Sequence, residues 1–400
     1  MDYKIFGCRL NKFYLNEWLN YFKNKSSDKD FLIVSCEVTD RAKSKWIKLL
    51  KQKIDKWFYV YLTWCASLQK WNLIDKQLFY QIYPELSNYQ DRITLLPQSP
   101  NSQGIDNFHA HDNLTKKFLL IQTGCDTNCT FCLTVKKRWP SKNRSIESII
   151  DEINQADYQW KQEIVLTWTN LTAWGCENTR QPSWSKFSYL LKQILKNTNI
   201  PRIRISSLSV EFLDEEFFDI IKESRIMPFF HFSVQSFSDK ILKLMNRNYN
   251  LQKLINTLQK VVSAKRTDNI PINLWADIIV WFPNETEKDF FITYDWIKEF
   301  GISNLHVFPF SKHKKGEGIT AWNFKNQIDK NTIIQRQKTL MSLSKDLKDS
   351  FLQKNKWKMF KVLLESNKDW IFYGWSENYI QMSVQWNYQT GQVVSKKFDF

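Results

Sequence analysis

The chain reads as an α/β protein built around an open, partial (β/α)6 barrel, with an α/β domain before it and a small all-β domain after it. Three observations predict this. Between Phe118 and Ser311, strand-length apolar runs alternate with amphipathic stretches of helical period, six units in all, the pattern of a parallel sheet wrapped by helices. Before residue 105, three further apolar runs each end in a cysteine. After residue 356 the helical period gives way to short alternating runs separated by turn residues, the pattern of a small antiparallel barrel. Six βα units, where a closed barrel has eight, predict a barrel that stays open.

In the first segment, residues 1–105, the runs are Ile5-Phe6-Gly7-Cys8, Phe31-Leu32-Ile33-Val34-Ser35-Cys36 and Val60-Tyr61-Leu62-Thr63-Trp64-Cys65. Helical stretches from Leu15 to Phe22 and from Arg41 to Lys53 separate them. Strands that end on one side of a sheet would bring the three thiols together, although buried cysteines in such a domain also serve simply as packing. Residues from about 85 to 116 are polar and rich in turn formers, including Leu96-Pro97-Gln98-Ser99-Pro100, and read as a linker.

The second domain, residues 116–345, takes its strands from Phe118-Leu119-Leu120-Ile121, Glu163 to Thr167, Ile203 to Ser207, Phe230 to Gln235, Ala276 to Val280 and Leu305 to Pro309. In such sheets the reacting groups lie at the carboxyl ends of the strands, where Cys125, Thr167, Ser207, Gln235, Trp281 and the segment Phe308 to Ser311 fall. His231 and His306 lie inside apolar strands and read as core histidines with satisfied hydrogen bonds. A helix from Asn331 to Asn355 leads to the last domain, residues 356–400, with runs at Val362 to Glu365, Trp370 to Gly374, Tyr379 to Val384 and Val393 to Lys397. Its aromatics read mainly as core, with interleaved lysines suited to RNA.

Composition narrows the function classes. The 400 residues exceed one ordinary core, and 43% hydrophobic content is ample for burial. No apolar run approaches the ~20 residues that span a bilayer, and the first residues lack a signal peptide's apolar core, so the cytoplasm is expected and a membrane partner is not. Seven cysteines, an odd number, point to reduced thiols and metal ligation over a disulfide framework. Against 41 acidic residues stand 57 Lys and Arg, and the net charge of +16 points to a polyanion such as RNA, although a lysine-rich proteome would raise it too.

The densest chemistry is Cys125-Asp126-Thr127-Asn128-Cys129-Thr130-Phe131-Cys132. Three thiols on so short a loop can converge on one metal centre. A closed zinc site or an electron-transfer cluster normally takes four protein ligands, so three leave either a distant fourth ligand or an open coordination position for a substrate or cofactor.

These words resemble the radical S-adenosylmethionine enzymes, in which such thiolates hold a [4Fe-4S] cluster whose open iron binds S-adenosylmethionine. Gly7-Cys8-Arg9-Leu10-Asn11, Cys36-Glu37-Val38-Thr39 and Thr63-Trp64-Cys65-Ala66-Ser67 resemble the amino-terminal domain of one branch, the methylthiotransferases. The resemblance continues through Arg204-Ile205-Ser206-Ser207, Ser233-Val234-Gln235-Ser236, Asp277-Ile278-Ile279-Val280-Trp281-Phe282-Pro283 and His306-Val307-Phe308-Pro309-Phe310-Ser311, and so covers nearly the whole chain. It implies a cluster ligated by Cys125, Cys129 and Cys132 that acts catalytically, and an auxiliary [4Fe-4S] cluster ligated by Cys8, Cys36 and Cys65. It implies a cofactor pocket for S-adenosyl-L-methionine lined by Thr167, Asn170, Ser207 and Gln235, and a carboxyl-terminal TRAM-like domain that binds RNA.

The branch that modifies threonylcarbamoyladenosine beside the anticodon of tRNA is the most similar, through Arg204 to Leu208, Met227-Pro228 and His306 to Pro309. The expected enzyme is thus a methylthiotransferase acting at C2 of that adenosine, with tRNA, a reductant and a sulfur donor as partners. Branches acting on isopentenyl-type adenosine or on an aspartate of a ribosomal protein remain open, as does a catalytically inactive, metal-stabilised RNA-binding protein. Cys176 has no counterpart in the resemblance and reads as a thiol without a ligand.

One feature of composition is inverted. There are 18 Trp and 9 Gly, where ordinary usage of about 7% would give roughly 28 glycines. At Trp64, Trp139, Trp168, Trp275 and Trp281 the chain has Trp where the resembled family has Gly, and Trp71, Trp160, Trp322, Trp357 and Trp370 look similar. Gly serves where the backbone takes a positive φ or a ligand comes close, and Trp replaces it poorly in both. Two expectations follow: UGA codons read as Gly in the source lineage and written here as Trp, or a divergent chain that truly carries the indoles. Phe237 and Asn284 also stand at family Gly positions, and no UGA codon accounts for either.

Overall fold

β-branched and aromatic residues at 31–34 and 59–64 build the centre of a parallel sheet. The computed structural model describes residues 1–6, 10–37, 40–70, 72–100, 115–137, 140–167, 169–176, 185–311, 320–324, 329–385 and 387–399. Cys8 and the tryptophans at 71, 139 and 168 lie outside them. The chain folds into two compact units, one formed by Met1–Asn107, Gly124–Lys142 and Ser311–Trp322, the other by Phe108–Thr123, Asn143–Phe310 and Asn323–Phe400.

In the first unit, β1 (Asp2–Ile5), β2 (Asp30–Ser35), β3 (Tyr59–Trp64) and β4 (Ile93–Leu95) form one parallel sheet in that order, with α1 (Leu10–Phe22), α2 (Asp40–Asp55) and α3 (Lys76–Ile82) in the connections. Every residue of β2 is buried, as parallel strands covered on both faces require. Trp46, Leu50, Phe79, Tyr83 and Leu86 pack against Ile33, Val60 and Leu62. This corrects the linker expectation at its start. Pro84–Arg92 is a 3₁₀ helix and Ile93–Leu95 a paired strand, because Leu86 and Ile93 are core residues within an otherwise polar stretch. A short helix, α4 (Thr134–Lys137), follows the CxxxCxxC loop.

The second unit carries the expected βα alternation. One sheet has the order β7 (Arg202–Ile205), β6 (Glu163–Thr167), β5 (Lys117–Leu120). A second has β8 (Ser207–Leu208), β9 (Phe229–Gln235), β10 (Asn273–Val280), β11 (Asn304–Pro309), and all pairings in both are parallel. Between them run α5 (Ile146–Tyr158), α6 (Phe187–Asn197), α7 (Glu215–Ile220), α8 (Asp239–Leu244), α9 (Leu251–Val262) and α10 (Glu287–Glu299).

The helices start where the sequence can satisfy their first amides. Ser145, Asp214, Ser238 and Asn250 each accept a backbone N–H three residues on, and Thr286 with Asp289 forms a reciprocal capping box. Alternate strand residues Phe230, Phe232, Val234, Ala276, Ile278 and Val280 are buried, whereas His231, Trp275 and Asp277 between them are only partly covered. The sheet therefore has one sealed face and one open face.

After α11 (Lys330–Asn355), the strands β12 (Met359–Lys368), β13 (Ile371–Trp375), β14 (Gln381–Gln385) and β15 (Val393–Lys397) form an antiparallel sheet of order β14, β13, β12, β15. Phe360, Val362, Leu364, Phe372, Met382 and Phe398 make its core, as the alternation predicts. Buried charge ties this sheet to the barrel. Glu163 on β6 accepts from Arg202 Nε at 2.9 Å and Arg204 Nε at 2.8 Å. The guanidiniums continue to the carbonyls of Lys361, Ser376 and Glu377, and Lys116 pairs with Glu365 at 2.6 Å. Tyr379 stacks between Phe229 and Trp375, with centroids 4.4 and 4.3 Å away. Among the described residues no helix is long and apolar enough to cross a membrane.

Candidate metal centre

Parallel pairing sets the first group of cysteines. β2 and β3 run side by side with Ser35 opposite Trp64, so Cys36 and Cys65 leave adjacent strand ends in the same direction. Ser35 Oγ donates to the carbonyl of Thr63 at 2.7 Å and accepts the amide of Ala66 at 2.9 Å, which fixes the two exits against each other. Both cysteines are buried. β1 pairs with β2 up to Ile5 opposite Val34, and the amide of Phe6 extends the pairing to the Val34 carbonyl at 2.9 Å. Cys8 follows three residues beyond Ile5.

In the CxxxCxxC loop the amide of Cys129 donates to the Thr127 carbonyl at 3.0 Å, and that of Cys132 to the Cys129 carbonyl at 3.1 Å. These tight turns keep Cys129 and Cys132 near enough to Cys125 for their charges to act on its thiol. Burial, and then the neighbouring Cys129 and Cys132, push the Cys125 thiol up to about 12. Thiols whose charges oppose one another are a donor set that a cation centre would stabilise. Thr134 N–H donates to Cys132 Sγ at 3.4 Å, and Ser141 N–H and Oγ both donate to the Asp126 carboxylate, the former at 3.0 Å.

A buried carboxylate joins the two cysteine segments, and sequence reading missed it. Glu37, the residue after Cys36, accepts from Tyr83 Oη and pairs with Lys137 Nζ at 3.0 Å and Lys43 Nζ at 3.9 Å. Its only sequence signal was an acidic residue inside a buried stretch.

In the second unit the expected pocket residues fall at strand ends. Thr167 closes β6, Asn170 follows and is buried, Ser207 opens β8 and Gln235 closes β9. A hydrogen-bond chain links Asn170 to Ser207. Thr172 Oγ1 lies 3.4 Å from Asn170 Oδ1 and 3.3 Å from the Ser209 carbonyl, Arg247 Nη2 reaches Ser209 Oγ and the Ser233 carbonyl at 3.1 Å, and Ser207 Oγ lies 2.7 Å from Ser233 Oγ. Gln235 has φ +69° where the register with β10 shifts.

The histidines depart from the core expectation. Ser207, His231 and Trp275 lie in register across β8, β9 and β10, and Asp277 lies in register with His306 on β11, so all five occupy the open face. His231 Nε2 is 2.8 Å and His306 Nδ1 3.2 Å from Asp277 Oδ1, and His306 is exposed. Burial pushes the Asp277 carboxyl up, but the two imidazole hydrogen bonds outweigh it and hold the group at about 2. The histidines are satisfied, as expected, but by a shared carboxylate on the open face; an apolar strand context could not reveal which face they take.

At the end of β10, Trp281 is buried and its N–H donates to Glu285 Oε2 at 2.6 Å, with Arg336 Nη1 2.8 Å from the same oxygen. Burial pushes the Glu285 carboxyl up to about 7 despite the opposing Arg336 charge. Cys176 packs against Ala173 and Phe212.

Residues 119–297 match the radical SAM superfamily. Over 98% of its length the chain is 27% identical to 98% of the threonylcarbamoyladenosine tRNA methylthiotransferase MtaB of Aquifex aeolicus (strain VF5). It is 28% identical, over 91% of its own length and 85% of the relative's, to the tRNA-2-methylthio-N(6)-dimethylallyladenosine synthase of Bartonella bacilliformis. Among solved structures it is similar to the radical S-adenosylmethionine methyltransferase TsrM of Kitasatospora setae, with a TM-score of 0.50 and 12% identity over 75% of this chain and 67% of that one, a likeness of fold.

Proposed function

Since the chain belongs to the methylthiotransferase branch of the radical SAM superfamily, we propose that it transfers a methylthio group to C2 of N6-threonylcarbamoyladenosine in tRNA. The observation that carries the choice of substrate is the likeness to the Aquifex enzyme over 98% of both chains. The net charge of +16 and the lysine-bearing carboxyl-terminal sheet suit a tRNA partner.

C2 of an adenine bears an unactivated C–H bond, and bound [4Fe-4S] clusters with S-adenosylmethionine supply the one-electron chemistry that breaks it. In this reading Cys125, Cys129 and Cys132 hold the catalytic cluster, and Cys8, Cys36 and Cys65 the auxiliary one. The donor set supports it: five of these six thiols are described, and all five lie in the first unit, Cys36 and Cys65 just past strand ends and Cys125, Cys129 and Cys132 on one short loop. Thr167, Asn170, Ser207 and Gln235 are assigned to the S-adenosylmethionine pocket, where the Asn170 to Ser207 hydrogen-bond chain would hold the polar groups in place before the cofactor arrives. A reductant and a sulfur donor complete the partners, in the cytoplasm.

The buried indole of Trp281 at a strand end favours a second reading, a metal-stabilised RNA-binding protein without activity. Nucleoside mass spectrometry separates the two. Expressed in a host lacking its own enzyme, the chain should add methylthio-threonylcarbamoyladenosine to tRNA. Methylthio-isopentenyladenosine in its place would move the substrate to the other tRNA branch, and an unmodified pool from iron-loaded protein would favour the inactive reading.

A further inference from the structure

We propose that Glu37 is a positioning residue that sets the spacing between the two cysteine-bearing segments, an inference resting on the radical methylthiotransferase reading above. Glu37 directly follows Cys36, and Lys137 ends α4, which begins two residues after Cys132. Both lie in the first unit, and the 3.0 Å ion pair between them joins loops separated by about a hundred residues of chain. Lys43 on α2 and Tyr83 at the end of α3 hold the same carboxylate, and it is only 4% exposed. In so dry a place a multiply satisfied charge is stiff, and breaking one arm leaves a buried cation to move toward water. Reactions that join groups held on two centres are sensitive to displacements of about 1 Å, which gives such a clamp a purpose.

Glu37→Gln keeps the shape and removes the charge, and Lys137→Arg keeps the charge. With iron content intact, the Gln variant should weaken the magnetic coupling between the two reduced clusters seen by electron paramagnetic resonance. It should also raise several-fold the ratio of 5'-deoxyadenosine formed to methylthio product, and Lys137→Arg should stay near the parent on both. In metal-free protein, amide exchange across 125–137 should quicken in the Gln variant. Tyr83→Phe, which removes one neutral arm, should give the same changes in smaller degree and guards against a variant that fails to fold. Unchanged coupling and exchange with iron retained would overturn the proposal; loss of methylthio product from the parent protein would instead count against the functional reading, since coupling and exchange are read without it.

A different observation carries a second inference. Among the described residues, six tryptophans have left-handed backbones: Trp57 (φ 67°), Trp64 (79°), Trp160 (61°), Trp281 (57°), Trp357 (71°) and Trp370 (62°). For a bulky L-residue this is a genuine outlier. At Trp57 the amide donates to Ile54 and the next amide to Lys53, and at Trp160 to Asp157 and then Ala156, the double closure that ends helices at glycine. α10 closes with the same pair of bonds at Gly301, φ 60°. Trp370 follows Asp369 (φ 51°) in the two-residue turn between β12 and β13, where both φ values are positive and Asp-Gly is the favoured pair.

The geometry therefore assigns glycine to these six positions in the protein made by its own cell, with UGA read there as glycine. Trp64 adjoins Cys65 and Trp281 directly follows β10, so both proposed cofactor regions gain bare backbone where the written sequence has a buried indole. Trp57 was not singled out from sequence. Trp275 is different, because its φ is not positive and its ring packs on Phe229 and Tyr379, so backbone geometry gives it no support.

The gene decides. UGA is expected at codons 57, 64, 160, 281, 357 and 370. UGG is expected at Trp18 and Trp174, whose buried indoles donate to the carbonyls of Gln98 and Arg144. Peptides from the native organism should carry glycine mass at the six and tryptophan mass at the two. UGG at the six codons would overturn the inference, and so would tryptophan mass in the native peptides.

Discussion

Replacing Trp by Gly at an exposed turn should stabilise this protein, against the usual rule. Trp160 and Trp370 are the cleanest sites, because 85% and 76% of each residue is exposed and neither indole has a cation beside it among the described residues. Relief of a left-handed L-residue is worth roughly 1–2 kcal/mol. Against it stands the greater unfolded-state freedom of glycine, about 0.5–1 kcal/mol. The net expectation is a gain of about 0.5–1 kcal/mol at each site, and the two, in separate turns of the second unit, should add. At Trp57 and Trp357 the gain should be smaller, since Arg92 lies 4.7 Å from one ring and Lys397 5.1 Å from the other, and an exposed cation–π contact is worth roughly 0.5–1 kcal/mol. Trp174→Gly is the control, removing a buried, hydrogen-bonded indole and costing about 3–5 kcal/mol or more. Urea unfolding of metal-free protein, followed by far-ultraviolet circular dichroism, reads all five variants. A loss of stability at both 160 and 370 would refute the reasoning from backbone strain.

Three further outcomes are expected. Anaerobically reconstituted protein should bind about eight iron, with Cys125→Ala losing one cluster and Cys36→Ala only the other, and stoichiometric zinc without iron would end the radical reading. Glu163→Gln should lower stability at pH 7 by roughly 3–5 kcal/mol, since it leaves the buried Arg202 and Arg204 without their carboxylate. Burial opposes the charge on Glu163, but those guanidiniums and Lys116 hold its carboxyl well below the usual carboxylate range. Its stabilisation is therefore fully present above the ordinary Glu pKa and is lost as pH falls toward the lowered value, so the variant should show a shallower acid-side decline in a pH series of melting curves. Binding to unmodified tRNA, measured by filter retention, should fall steeply with added salt, and a flat salt profile would place the net charge of +16 outside the interface.

Sequence by itself determined what depends on local period and local spacing. The strand Glu163–Thr167 coincides with its apolar run, α11 begins within a residue of its expected start, and the four carboxyl-terminal strands follow their alternation, because each reports a face that must be buried. Cysteines three or four residues apart must share a loop, so the CxxxCxxC group was legible before any fold was known. Tertiary structure decided what brings distant residues together. The Glu37 to Lys137 pair, the carboxylate shared by His231 and His306, and the barrel arginines bound to carbonyls of the last sheet join residues 29 to 173 positions apart, and no periodicity encodes a partner. Backbone sign was decided there too. The written Trp57 carries no trace of a left-handed turn, since φ at a helix end is set by how the chain must leave the helix to reach β3, whatever side chain the codon is taken to specify.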